Sequence, residues 1–190
     1  LAAPHGIFSL RCATGKSPAG TPRSENSAHL HTFQQQRQLV RHAQQNRRRD
    51  TAATWVIADG AMAVVGYIAL SMTAVDAAAA PEPLRHRAPN PIPALLIGRL
   101  AVDRSVQGMG VRTALVVHAL ATAVELQEKA AFRAVIVDAA SAAASQWWAR
   151  FGFEPMARTD QRPFLPSKDI AKTLDALSRK RPFDVVGLRR

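Results

Sequence analysis

Cysteine is nearly missing from this chain: Cys12 is the only one in 190 residues. A single thiol excludes an internal disulfide framework and a Cys-built metal site, and it points to a reducing compartment, by default the cytoplasm. Long apolar runs are missing as well. No stretch reaches the roughly 18 residues of a membrane span, and the opening Leu1–Leu10, broken by Pro4 and Gly6, is too short for a secretory signal core. Tyrosine occurs once, as Tyr67, and acidic residues are scarce, 14 Asp and Glu against 25 Lys and Arg, for a net charge of +11. What is present is apolar bulk. With 47% hydrophobic and 21% charged residues, the chain has the composition of a folded protein with one full-sized core, not of a disordered polymer.

The positive charge is concentrated at the two ends. Residues 1–50 carry eight basic residues against Glu25 and Asp50, a net +6, and residues 178–190 carry five against Asp184, a net +4. The remaining middle has a net charge of only +1. A near-neutral body with basic ends suits a polyanionic partner that meets the ends, although basic termini also serve solubility alone.

Periodicity divides the chain into a leader, residues 1–27, rich in Pro, Gly, Ser and Thr and expected to be loose; a folded body, residues 28–177; and a basic tail, residues 178–190. Leu30, Phe33, Val40 and Ala43 predict a helix from Leu30 to about Arg48, with Arg37, Arg41 and Arg48 on another face and Arg49 just beyond. Residues 51–58 and 61–72 are apolar, β-branched runs separated by Asp59-Gly60, a hairpin signal. An irregular crossing segment, 76–93, leads to a buried strand, Ala94–Asp103. A long helix then runs from Gly108–Gly110 to about Lys129, with Val111, Leu115, Ala119, Thr122 and Leu126 on one face. Phe132–Asp138 is a second buried strand, Ala140–Arg150 a short helix, Phe151-Gly152-Phe153 the start of a last strand, and 166–177 a final helix. Strands alternating with helices in this order imply a mixed α/β, or α+β, sheet.

The most informative stretch is Leu100-Ala-Val-Asp103-Arg-Ser-Val-Gln107-Gly108-Met-Gly110-Val-Arg112. A buried strand enters a two-glycine turn and then a helix, so unpaired N–H groups converge at the positive end of the helix dipole, where a diphosphate is stabilised. Gly108 and Gly110 let the backbone approach phosphate oxygens without a Cβ in the way. A Walker loop is excluded by the lack of Gly-Lys-Ser/Thr, and a dinucleotide fingerprint by Thr113, where Gly or Ala is required. Taken alone, a Gly-x-Gly turn is weak evidence, and a purely structural bend accounts for it better.

In context, Gln107-x-x-Gly110-x-Arg112 resembles the Gln/Arg-x-x-Gly-x-Gly/Ala signature of the GNAT N-acetyltransferases. Pro91-Ile-Pro93, Gly66-Tyr67-Ile-Ala-Leu-Ser71 and Trp148-Ala-Arg-Phe-Gly152-Phe-Glu-Pro155, in the right order across roughly residues 30–177, resemble the toxin branch of that superfamily, the toxins of bacterial toxin-antitoxin modules. The resemblance implies the GNAT fold, with a mixed sheet splayed at the cofactor site. It implies acetyl-CoA as cofactor, aminoacyl-tRNA acetylated on its α-amino group, and a small antitoxin as partner, with a second copy of the chain as a further candidate. Leu100, Ala101 and Val102 would pair with the pantetheine arm. Gln107, Gly108, Met109, Gly110, Val111, Arg112 and Thr113 would hold the diphosphate. By their charge Arg37, Arg41, Arg48 and Arg49 would meet the tRNA, while Arg85 and Arg87 would either grip its 3′ end or lie in a solvated loop.

Two positions depart from the family pattern. Arg112 replaces the third small residue, where it would either crowd the phosphates or reach outward to the ribose phosphate. Trp148 stands where many of these enzymes have a tyrosine that protonates the departing thiolate, which an indole cannot do. Trp148 and Tyr67 are therefore the catalytic candidates, each with a packing role as its alternative. His118 is expected to be structural, Asp103 and Asp138 to cap turns, and Lys168 and Lys172 to face solvent. His29, His31 and His42 lack ligand company, so no metal is expected. Alternative functions are acetylation of small amines or protein N-termini, and a catalytically weak acyl-CoA-binding module.

Overall fold

The computed structural model describes residues 6–9, 52–59, 63–156 and 159–180. The predicted Leu30–Arg48 helix, and with it Arg37, Arg41, Arg48 and Arg49, lies outside the described residues.

Seven strands form one sheet in the order β1-β2-β3-β4-β5-β7-β6. Strands β2 (Ala53–Ala58) and β3 (Val64–Val75) pair antiparallel, as the Asp59-Gly60 signal predicts. The turn is pinned where Asp59 N–H donates to Ala63 O at 2.9 Å and Ala63 N–H returns to Asp59 Oδ1 at 2.8 Å. Strand β1 (Gly6–Ser9) pairs antiparallel with β2, so the predicted loose leader contributes an edge strand. Four residues carry too little periodicity to announce a strand, which is specified here by its partner.

Strand β4 (Ile92–Val102) pairs antiparallel with β3 over its whole length and parallel with β5 (Ala134–Val137) over Ala94–Ile97. The crossing segment is more regular than expected. A 3₁₀ turn, Ala77–Ala79, is capped by the Asp76 carboxylate accepting from Ala78 N–H at 2.9 Å, and a one-turn helix α1 (Glu82–Arg85) follows. The segment is anchored where Arg133 Nη2 donates to His86 O at 2.8 Å.

Helix α2 (Val111–Gln127) covers one face of the sheet. Its buried side is Val111, Leu115, Val116, Ala119, Leu120 and Ala123, whereas the predicted Thr122 and Leu126 are only half-buried. The helix seats a broad stripe on the flat sheet, so the contact shifts by a residue from a single heptad seam. Gly66 permits the close approach, because a Cβ there would lie 3.2 Å from both Ala101 O and Leu115 Cδ1. Helix α3 (Ala142–Ala149) is capped by Ser141 Oγ, which accepts from Ala144 N–H at 3.2 Å. The expected last strand is a pair, β6 (Glu154–Met156) and β7 (Thr159–Pro166), which are antiparallel to each other; β7 is also antiparallel to β5. Helix α4 (Ile170–Lys180) closes the described chain, with Ile170 fully buried.

Two apolar clusters fill the two faces. One joins α2 to Ile68, Leu95, Ile97, Val135, Trp148 and Phe153; the other lies under α1 and includes Val75, Ile92, Ile136 and Phe164. No described helix is long and apolar enough to cross a membrane.

Candidate active site

The site begins where β4 loses one of its neighbours. Pairing with β5 ends at Ile97–Val137, while pairing with β3 continues to Val102 opposite Gly66. Across from β3, Leu70 faces Ile97 and Ala69 faces Arg99, so Gly98 is an extra residue that bulges the strand at the point of separation. From there to Val102 the edge that would face β5 is left open, with Leu100, Ala101 and Val102 half-buried beside it. Such an edge offers backbone N–H and C=O groups to an amide-bearing ligand.

The chain leaves β4 through Asp103, which is 4% exposed and donates its N–H to Val65 O at 2.8 Å. Asp103 Oδ1 accepts from Ser105 N–H at 2.9 Å and from Ser105 Oγ at 2.6 Å, while Oδ2 is buried without a partner. This is the turn cap expected of it. The cap shapes a 3₁₀ turn, Arg104–Val106, whose successors Gln107 and Met109 donate their amides backward to Arg104 O and Val106 O, each at 3.3 Å. Gly108 and Gly110 take left-handed φ values of 81° and 84°, and Gly110 is the N-cap of α2. Ala114 N–H makes the first bond of the helix, to Gly110 O, so the amides of Gly108, Gly110, Val111, Arg112 and Thr113 have no acceptor within the described protein. The Gln107 and Met109 amides are therefore spent in the turn rather than free for phosphate; Gln107 still lines the cleft, whereas the Met109 side chain is 61% exposed and outside it.

Open edge and free amides share one cleft of about 770 Å³. Its walls include Leu100, Ala101, Val102, Gln107, Gly108, Gly110, Arg112 and Thr113 from the predicted set; Val111 turns its side chain into the core instead. Val106, Trp147, Arg150, Phe151 and Leu177 complete the lining and were assigned no site role from sequence. Among the described residues, no carboxylate lines it. Arg112 lies along the wall with its guanidinium carbon 3.9 Å from the Trp147 ring centroid, a cation–π contact. Burial there lowers its pKa from the usual arginine value, and an arginine remains charged regardless.

Neither catalytic candidate lines the cleft. Trp148 is 3% exposed and packs in the core, its ring centroid 5.1 Å from those of both Trp147 and Phe153. Neighbours on a helix point about 100° apart, so only one of the two indoles can face the cleft, and it is Trp147. Tyr67, 4% exposed, sits opposite Ala101 on the sheet face away from α2. Arg85 and Arg87 are also elsewhere. They precede Ile92, and β4 carries the chain eight residues, about 26 Å, from there to the cleft wall at Leu100; Arg85 is moreover engaged by Glu82 at 2.6 Å. His118 is half-buried against Trp55, at 5.5 Å between rings, with Nε2 unpartnered; burial lowers its pKa and nearby Glu125 opposes the shift. Asp138 pairs with Arg162 at 2.9 Å rather than capping a turn. Among the described residues no cluster of His, Cys, Asp and Glu could hold a metal ion.

Residues 23–153 match the model of the acetyltransferase (GNAT) family. The chain belongs to the GNAT acetyltransferases. Its mixed sheet, splayed beside a glycine turn at a helix N-terminus, is the fold expected from the resemblance. It is 37% identical over 91 residues to a tRNA-acetylating toxin of Mycobacterium tuberculosis (strain ATCC 25618 / H37Rv); the match covers 48% of this chain and 55% of that protein, so the chain spans about half the length of that curated relative. Two solved structures share the fold. AtaT complexed with acetyl-methionyl-tRNAfMet superposes with a TM-score of 0.70 at 24% identity, covering 89% of this chain and 98% of AtaT. A tyrosine-to-phenylalanine mutant of KacT gives 0.69 at 22% identity, covering 88% and 98%.

Proposed function

We propose that this GNAT acetyltransferase is a toxin that uses acetyl-CoA to acetylate the α-amino group of aminoacyl-tRNA, so blocking translation, and that a cognate antitoxin neutralises it. The observation that carries the coenzyme part is the set of acceptor-free amides at the start of α2, opening into the same cleft as the unpaired edge of β4. Gly108 fits a diphosphate there, because a Cβ at that position would meet nothing within 4 Å and the space stays open to the ligand. When bound, acetyl-CoA supplies the acetyl group as a thioester whose thiol, with a pKa close to that of cysteine, ~8.5, leaves readily near neutrality.

The chain's own residues hold and orient. The amides of Gly108 and Gly110–Thr113 would take the phosphates, Leu100–Val102 the amide-bearing arm, and Trp147 and Phe151 would exclude water from one wall. Among the described residues, no His, Tyr, Cys, Lys or carboxylate lines the cleft to serve as general base. That suits an α-amino acceptor, which titrates near ~7.7–8.0 and is partly neutral without help, over a lysine at ~10.4. The tRNA part is supported by the relative that acetylates tRNA, by AtaT with its acetylated methionyl-tRNA, and by basic ends on a near-neutral body. The reading puts the protein's work in the cytoplasm, where charged tRNA is found.

The lack of a general acid among the described lining residues also favours a second reading, a catalytically weak acyl-CoA-binding module. Incubation with radiolabelled acetyl-CoA and either charged or deacylated tRNA separates the two. Label on the α-amino group of charged tRNA alone is expected. Label on free amines or protein N-termini instead, or on nothing while the coenzyme still binds, would overturn the proposal.

A further inference from the structure

The cleft holds two kinds of anion site. The first is made of backbone amides at the start of α2 and is satisfied by one diphosphate. The second is made of side chains. Arg112 leaves α2 and lays its guanidinium over Trp147 on α3, and Arg150, three residues beyond Trp147, projects from the same side of that helix end. Both arginines line the cleft, both are exposed, and neither has an ion-pair partner among the described residues. Glu154 and Asp169 line a neighbouring groove that Arg150 also borders, yet neither pairs with it. Two unneutralised guanidinium groups on one wall lie displaced from the amides toward α3.

A ligand that gives one anion to the amides and another to this wall is a nucleoside diphosphate with a further phosphate on its ribose. We infer that Arg112 and Arg150 together recognise the ribose 3′-phosphate of coenzyme A and make the protein discriminate against the dephosphorylated coenzyme. The inference rests on the coenzyme reading above and adds to it a specificity that the amides cannot supply, since the diphosphate is common to both molecules. Arginine suits the task because its planar fork engages a phosphate bidentately.

The test is calorimetric titration of the full chain with coenzyme A and, separately, with dephospho-coenzyme A. Wild type is expected to bind coenzyme A at least about tenfold more tightly, the scale of one charge-assisted contact. Arg150→Gln and Arg112→Gln should each lower that ratio, the double variant should bring it close to one, and affinity for dephospho-coenzyme A should change little. Arg150→Lys should keep part of the discrimination. An unaltered circular dichroism spectrum establishes that each variant is folded. A wild-type ratio near one, or a ratio that survives both substitutions, overturns the inference while leaving the coenzyme site intact. Failure of both coenzymes to bind wild type overturns the coenzyme reading as well.

Discussion

The two halves of β4 differ in one respect, the presence of a second neighbour, and the rest follows from it. Ile92–Ile97 lies between β3 and β5, and Ile92, Ala94, Leu95 and Ile97 are each no more than 2% exposed. Gly98–Val102 keeps β3 but has no β5, and its residues are half-buried or exposed. The first half is core; the second is a wall of the cleft. Apart from the exposed Arg99, both halves are apolar or glycine in sequence, so the withheld strand does more than residue type to turn one of them into a binding surface. Strand β5 ends at Val137 and the chain turns away through Asp138 and Ala139, whose N–H donates to Gln161 O on β7.

The strongest way to break the contrast is to truncate a side chain in each half. Ile97→Ala removes a core side chain clamped between two strands and should cost about 2–5 kcal/mol of stability in denaturant unfolding. Leu100→Ala should cost clearly less and should weaken acetyl-CoA binding instead. Equal losses of stability would show that the splayed half is core after all. A smaller effect is expected at the turn that follows. Gly110→Ala forces an L side chain into a left-handed φ of 84°, a strain that should cost about 1–2 kcal/mol of stability in denaturant unfolding. The smallest effect sharpens the division within α3. Trp148→Phe keeps an aromatic in the core, and turnover should stay within about threefold of wild type. A loss approaching the ~10²-fold of a missing general acid would mean that the indole acts in the chemistry.

Much of this arrangement was legible in the sequence. Apolar runs, the Asp59-Gly60 turn and the glycines at 108 and 110 located β2, β3, β4, α2 and the amide cradle, because each is specified by local chemistry. What was not legible depends on partners far away in the chain. The splay is set by the length of β5, Gly6–Ser9 is a strand only beside β2, and the second strand of the β6–β7 pair has Arg162 and two prolines in place of a clear alternation. Trp147 and Trp148 are identical in type and adjacent, so only the docking of α3 decides which one faces the cleft. The same docking brings Arg150 to the cleft beside Arg112, a pairing that 38 residues of sequence separation conceal.

The central claim is that the backbone at the start of α2 binds the coenzyme diphosphate. It is tested most directly by following the amide resonances of the isotope-labelled protein by NMR while coenzyme A is added. The account predicts that Gly108, Gly110, Val111, Arg112 and Thr113 show the largest shifts of the described residues, with smaller ones along Leu100–Val102. Saturable binding that leaves those five amides unmoved would contradict it.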